Sequence, residues 1–215
     1  MKKSRISAAA VLMLGLICLC AIAQTPGALE PDLGSINGST YTNKYFGLRL
    51  TVPAGWLVQD STFKKQISEK GKENLTSDDP NKNREINRAI DNAFNLLTLT
   101  ERTPGEPGPF NAMFISGAER FPAGKTDADY ILALKNVLNK YSHMLMSIEK
   151  DVYAEPIGGI AFSAIDFKTN FSGVIVSQKY YAHIIKDYIL FFIITYQTEE
   201  QLKKHAEILK SVALQ

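Results

Sequence analysis

The chain has 215 residues, with 24 lysines and arginines against 22 aspartates and glutamates, a formal net charge of +2. Lys2, Lys3 and Arg5 supply that excess, so residues 24–215 carry 21 basic and 22 acidic side chains. A near-neutral body lacks the basic footprint that nucleic acid or an anionic membrane surface requires, and 45% hydrophobic with 21% charged residues excludes wholesale disorder.

Met1–Arg5 is basic, Ile6–Leu19 is apolar, and Ala21-Ile22-Ala23 closes the segment on small residues. This three-part pattern is that of a secretory signal peptide and predicts cleavage after Ala23. A retained anchor helix is the competing reading, since the apolar run spans a bilayer only if nearly all of it counts. The break at Gln24-Thr25-Pro26-Gly27 favours cleavage. The expectation is an exported protein, periplasmic in a bacterium or secreted, with no stable membrane anchor afterwards. Both cysteines, Cys18 and Cys20, fall inside the signal. The mature chain would have no disulfide, no thiolate nucleophile and no cysteine-metal site. Ile17 and Leu19 precede them where lipidation needs a small residue, which argues against a lipoprotein. Asn-x-Ser/Thr triplets at Asn37, Asn74 and Asn170 matter only in a eukaryotic secretory route and are read as chance.

Gln24–Thr40 is rich in Gly, Pro and Ser and reads as a flexible leader, with a single domain over 41–215. Tyr41–Pro53 predicts two short strands around Phe46-Gly47, because Leu48, Leu50 and Val52 alternate with Arg49 and Thr51. Pro53 and Gly55 then break the ladder ahead of Trp56, the only tryptophan, which is expected to pack on the core. Phe63–Asn81 is polar and charged and reads as a solvated loop. Asp79-Pro80 opens a helix to about Phe94, with Ile86, Ile90, Ala93 and Phe94 on one stripe. Leu96–Arg102 alternates as a strand, 103–109 is a Pro/Gly loop, and Asn111–Arg120 is the next strand.

Thr126 and Asp129 form a capping-box pattern. The helix they open places Tyr130, Ile131, Leu134, Val137, Leu138 and Tyr141 on one face. Four strands follow, Met144–Tyr153, Ile160–Thr169, Val174–Ile185 and Tyr188–Thr195, with turns at Gly158-Gly159, 170–173 and Lys186-Asp187. The last of them is apolar on both faces, which marks a central strand covered on two sides. Thr198 and Gln201 cap a final helix with Leu202, Ala206, Leu209 and Val212 as its stripe. The sum is an α+β fold, a largely antiparallel sheet flanked by helices.

The opening YTNKYFGLRLTVPAGW, Tyr41–Trp56, resembles that of proteins with the PsbP/Mog-type fold, including DcrB-like bacterial envelope proteins. The closing YILFFIITYQTEEQLKKHAEILKSV, Tyr188–Val212, is similar to their end, with Ile208, Leu209 and Ser211 in the place of the family's terminal helix motif. The helix Asp127–Ser142 sits where their middle helix sits. This resemblance implies an α/β/α sandwich and a non-enzymatic accessory or interaction role, with an envelope protein as partner. Phe63–Asn81 and Thr103–Pro109 depart from the family's opening motif.

Catalysis needs a positioned constellation. No phosphate-binding glycine loop, no G-x-S-x-G elbow and no H-E-x-x-H spacing occurs, so no catalytic residue and no cofactor is expected. Of the three histidines, His143 ends the middle helix and His205 lies off the last helix's stripe, half-exposed. His183 shares a strand face with Lys179 and Tyr181, and Asp166 on the preceding strand would be its carboxylate partner as a base or metal ligand. Glu149 and Asp151 share a face by period-two spacing. With Glu155 they form an acidic strand end that would suit a divalent cation. Tyr180, Tyr181, Tyr188, Tyr196 and Phe191-Phe192 crowd the C-terminal sheet, and any on an open face would make a protein-binding patch. The leading expectation is an exported interaction module. The alternatives are a small-ligand or metal-binding protein and a hydrolase built on His183.

Overall fold

Strand β10, Tyr188–Tyr196, shows why the chain folds in layers. Its successive side chains point to opposite faces. Ile189, Phe191 and Ile193 enter one hydrophobic core, while Tyr188, Leu190, Phe192 and Ile194 enter a second. All seven are within 1% of complete burial, and each such side chain contributes about 1.5–3 kcal/mol. The sheet must therefore be covered on both faces. The computed structural model describes residues 32–215 apart from 76–77, 82, 85–86, 88–92, 141–144 and 172. The segment expected to be an export signal, the first part of the expected leader, Ile86, Ile90, Tyr141 and His143 lie outside the described residues.

The large sheet has seven strands in the order β4-β5-β6-β10-β9-β8-β7, antiparallel throughout. Its members besides β10 are β4 (Leu57–Val58), β5 (Ala93–Thr100), β6 (Met113–Arg120), β7 (Leu145–Ile157), β8 (Ile160–Phe171) and β9 (Val174–Ile185). Helices α1 (Ser61–Leu75) and α2 (Asp127–Lys140) cover one face through Ile67, Tyr130, Ile131, Leu134 and Leu138. Helix α3 (Glu199–Lys210) and a four-stranded sheet cover the other. That small sheet runs β1-β2-β3-β11, from Ser35–Asn37, Thr40–Asn43, Leu48–Thr51 and Ala213–Leu214. The α+β class, the central place of β10 and the helix flanks agree with the expectation. The second outer layer, part helix and part sheet, was not foreseen.

Local chemistry explains the boundaries. Thr126 and Asp129 close their capping box in both directions. The Thr126 N–H and hydroxyl donate to Asp129 Oδ2 at 2.8 Å, and the Asp129 N–H donates to Thr126 Oγ1 at 3.1 Å. Gly158 and Gly159 both take positive φ, 60° and 81°, as the two-residue β7–β8 turn requires.

Four expectations are corrected. The leader does not run to Thr40, because Ser35–Asn37 pairs antiparallel with Thr40–Thr42 as an edge strand. The expected loop Phe63–Asn81 is helical as far as Leu75, because Asp60 caps α1 by accepting the Phe63 N–H at 2.8 Å, and Phe63 and Ile67 recur at i, i+4 against the core. Pro80, Asn81, Asn83, Arg84 and Asn87 are helical, but Ala93 and Phe94 already belong to β5. On α3 the buried positions are Gln201, His205, Ile208 and Leu209, a stripe turned from the expected one, with Leu202 and Ala206 only half-buried.

Candidate functional site

Strand β7 does not keep period two. Its pairing with β8 shifts register between Leu145 and Ser147, between Ile148 and Lys150, and again between Lys150 and Tyr153. Each bulge inserts an extra residue and re-aims the side chains beyond it. Glu149 therefore meets Lys168 of β8 at 2.8 Å, while Asp151 reaches Lys135 of α2 at 2.5 Å on the opposite face. Glu155 Oε2 lies 3.1 Å from the Tyr153 hydroxyl oxygen. The three carboxylates read as one acidic strand end are thus parted by the bulges. Among the described residues no group of three or more His, Cys, Asp or Glu side chains is arranged to hold a metal ion.

What the bulges bring together is a different set. On the face shared with α3, the Tyr153 hydroxyl donates to Asp166 Oδ1 at 2.6 Å, and Lys179 Nζ bonds Asp166 Oδ2 at 2.9 Å. Asp166 and Lys179 sit directly opposite in the β8–β9 register. Tyr153 also hydrogen-bonds Tyr181, and Tyr196 hydrogen-bonds Ser177. The Lys150 ammonium lies 3.4 Å from the centre of the Tyr153 ring, a cation–π contact. Tyr181 forms the buried floor, while Tyr153, Glu155, Asp166, Lys179 and Tyr196 are half-buried around it. Burial is the chief cause that holds all three phenols above the ordinary tyrosine range, with Asp166 adding to each; Tyr196 is pushed up to about 12. The hydroxyls stay protonated as donors. Of the aromatic side chains expected in this region, Tyr180, Tyr181, Tyr188, Phe191 and Phe192 are core, and Tyr196 alone reaches the surface.

The expected His183–Asp166 pair does not form, because the register places Asp166 against Lys179, four residues from His183. His183 Nδ1 instead lies 2.9 Å from Asp127 Oδ2, and the Ile184 N–H donates to Asp127 Oδ1 at 2.9 Å. Asp127 thereby ties the first turn of α2 to β9, and Phe162 packs on the imidazole at 5.2 Å between ring centres. His205 is fully buried rather than half-exposed. Its Nε2 lies 3.1 Å from the Thr195 carbonyl, Nδ1 has no partner, and Trp56 meets its ring edge-on at 5.2 Å. Burial pushes its pKa down to about 4. Pro53 and Gly55 shape the turn that delivers Trp56, whose backbone N–H donates to the Pro53 carbonyl at 3.2 Å while Gly55 takes φ 82°. Sequence reasoning missed the Tyr153–Asp166–Lys179 set because period two misassigns a bulged strand. The available signal was Asp166 and Lys179 at matching positions of a hairpin.

No protein-family profile matches the chain, and no curated protein matches it in sequence. Solved structures resemble its shape. One is LpqN of Mycobacterium tuberculosis, described as involved in cell envelope biogenesis, with 10% identity over 78% of this chain and 82% of that one, TM-score 0.49. Another is the cyanobacterial PsbP of Synechocystis, with 11% identity over 85% of this chain and 99% of that one, TM-score 0.49. A Pseudomonas aeruginosa protein described as a putative regulator aligns at 18% identity over 47% and 69%, TM-score 0.36. At these identities and TM-scores the three are likenesses of overall shape. Among the described residues no helix is long and apolar enough to cross a membrane.

Proposed function

We propose that the chain is an exported accessory module that acts by contact, and that Tyr153, Asp166, Lys179 and Tyr196 centre the surface it presents to a partner protein. The observation that carries this reading is the polar, aromatic corner on β7, β8 and β9, half-buried and already ordered by its own hydrogen bonds. Tyrosines fixed in this way offer large contact area with little rotamer entropy left to lose on binding. Two titratable groups elsewhere are engaged structurally: His183 by Asp127, and Glu101 by Lys204 at 2.5 Å and Gln201 at 3.0 Å. Export rests on the basic, apolar and Ala-x-Ala order of the first 23 residues. The accessory role is what the end motifs imply.

The test is cross-linked capture from envelope extract with wild type, Tyr196→Ala and, as control, Leu132→Ala, which alters an exposed side chain on α2 (46% exposed). A partner retained by wild type and Leu132→Ala but reduced at least about tenfold by Tyr196→Ala supports the assignment, since a hot-spot tyrosine is worth about 2 kcal/mol. Equal retention by all three removes this surface. Turnover of ester, phosphate or peptide substrates by purified protein, abolished by His183→Ala, would replace the contact reading with a hydrolase.

A further inference from the structure

Glu119 of β6 is the only acidic side chain in the core among the described residues. It stands between Ala93 of β5 and Ile189 of β10 in the sheet register, on the face covered by α1 and α2, and is 3% exposed. Its carboxyl is hydrogen-bonded to Tyr130 of α2, and Oε2 has no partner. The Tyr130 hydroxyl lies 3.0 Å from that of Tyr180 on β9, so a chain of three polar groups crosses the apolar layer between helix and sheet.

No described element brings a cation to this carboxyl. β5 and β10 present Ala93 and Ile189. α1 contributes Ile67 to this layer, and its Lys64 ammonium is taken up by the Asn95 and Leu96 carbonyls at 3.3 and 3.1 Å. Arg120, the next residue along β6, lies over the Tyr188 ring on the other face. On α2 the described charged side chains are engaged elsewhere, Asp127 with His183, Asp129 with Thr126 and Lys135 with Asp151. Among the described residues, the titratable groups facing Glu119 are therefore Tyr130 and, beyond it, Tyr180. An ionised carboxylate here would be buried without a counter-charge, the costliest state such a group can take. Burial accordingly holds Glu119 well above the usual carboxylate range.

We propose that the Glu119–Tyr130–Tyr180 chain is a proton-operated latch, in which the neutral acid of Glu119 holds the middle of α2 on the sheet and loss of its proton to solvent releases the helix. As the carboxyl favours its protonated form only in the closed state, the latch is tight at low pH and weakens as pH rises through the raised value. Release would uncover Ile131, Leu134 and Leu138 of α2 and Phe167 and Val176 of the sheet beneath. The device would thus expose or conceal apolar surface according to pH.

The experiment compares the purified full chain with Glu119→Gln, which keeps the shape of the neutral acid. Infrared spectra at pH 7 should show the carbonyl band of a buried carboxylic acid in wild type and not in the variant. Hydrogen exchange of amides 127–140 should show an opening constant that grows about tenfold per pH unit in wild type, beyond the base-catalysed trend, because one proton is lost on opening. In Glu119→Gln that excess should vanish. Absence of the carbonyl band, or the same excess in the variant, overturns the proposal. If Glu119→Gln does not fold, wild type alone decides: loss of the band and loss of α2 protection at one midpoint support the latch, and separate midpoints refute it.

Discussion

Strands β10 and β7 lie three places apart in one sheet and obey different rules. β10 has neighbours on both sides and keeps an unbroken register with each. β7 is an edge and slips against β8 three times. The difference follows from burial. A strand sealed on two faces has no side chain that tolerates a slip, since one residue of shift turns every apolar group to the wrong layer. An edge strand with polar residues can absorb bulges, and the bulges discourage pairing with other chains. Here the same irregularity gathers the tyrosines, Asp166 and Lys179 into the proposed contact surface. Order at the centre holds the protein together, and irregularity at the edge builds the surface proposed above to meet a partner.

The largest test of that contrast is packing. Phe192 stacks on Phe114 and Phe162, at 5.7 and 5.4 Å between ring centres. Phe192→Ala should cost about 3–5 kcal/mol in urea denaturation, the range for a large core truncation. Truncation of β7's Val152, a half-buried residue, should cost below about 1 kcal/mol. Equal losses would break the comparison.

A second test uses acid. His205 packs beneath the end of β10 and is neutral when folded, with a pKa of about 4 against 6.5 for an ordinary histidine. The native state disfavours its proton, so the contribution is complete above pH 6.5 and fades as pH falls toward 4. It amounts to about 3 kcal/mol at most. His205→Gln should flatten the melting temperature between pH 7 and 4, and an unchanged slope would show that this histidine is not the sensor. The smallest effect belongs to the exposed edge. Lys168→Ala breaks the Lys168–Glu149 pair, 39% and 42% exposed, and should shift stability by no more than about 0.5 kcal/mol in thermal unfolding at physiological salt.

The sequence is most legible where one physical demand dominates. The two-sided apolar run Tyr188–Tyr196, the Thr126–Asp129 capping box and the Gly158-Gly159 turn each have a single workable structure, and each is found. Helix α1 was hidden because, among its described side chains, only Phe63 and Ile67 join the hydrophobic core of a mostly polar helix. His205 was hidden by a turn in the buried stripe of α3, decided by where Trp56 sits. The His183–Asp166 expectation failed by register, and Asp127 lies too far along the chain for strand pairing to suggest it. The contact surface was least legible, because bulges leave no simple period in the sequence.

The last strand carries a consequence for the order of assembly. β11 pairs with β3, and the Thr51 N–H donates to Ser211 Oγ at 2.9 Å across 160 residues of chain. Gly47 leaves room for the Gln215 carbonyl, which a Cβ there would strike, and its own carbonyl accepts the Gln215 N–H at 3.1 Å. The small sheet is therefore incomplete until residues 213–215 are available, and its closure is among the most non-local steps of folding. A chain emerging N-terminus first cannot finish this layer early. For the export proposed above, that delay would keep the chain unfolded for longer.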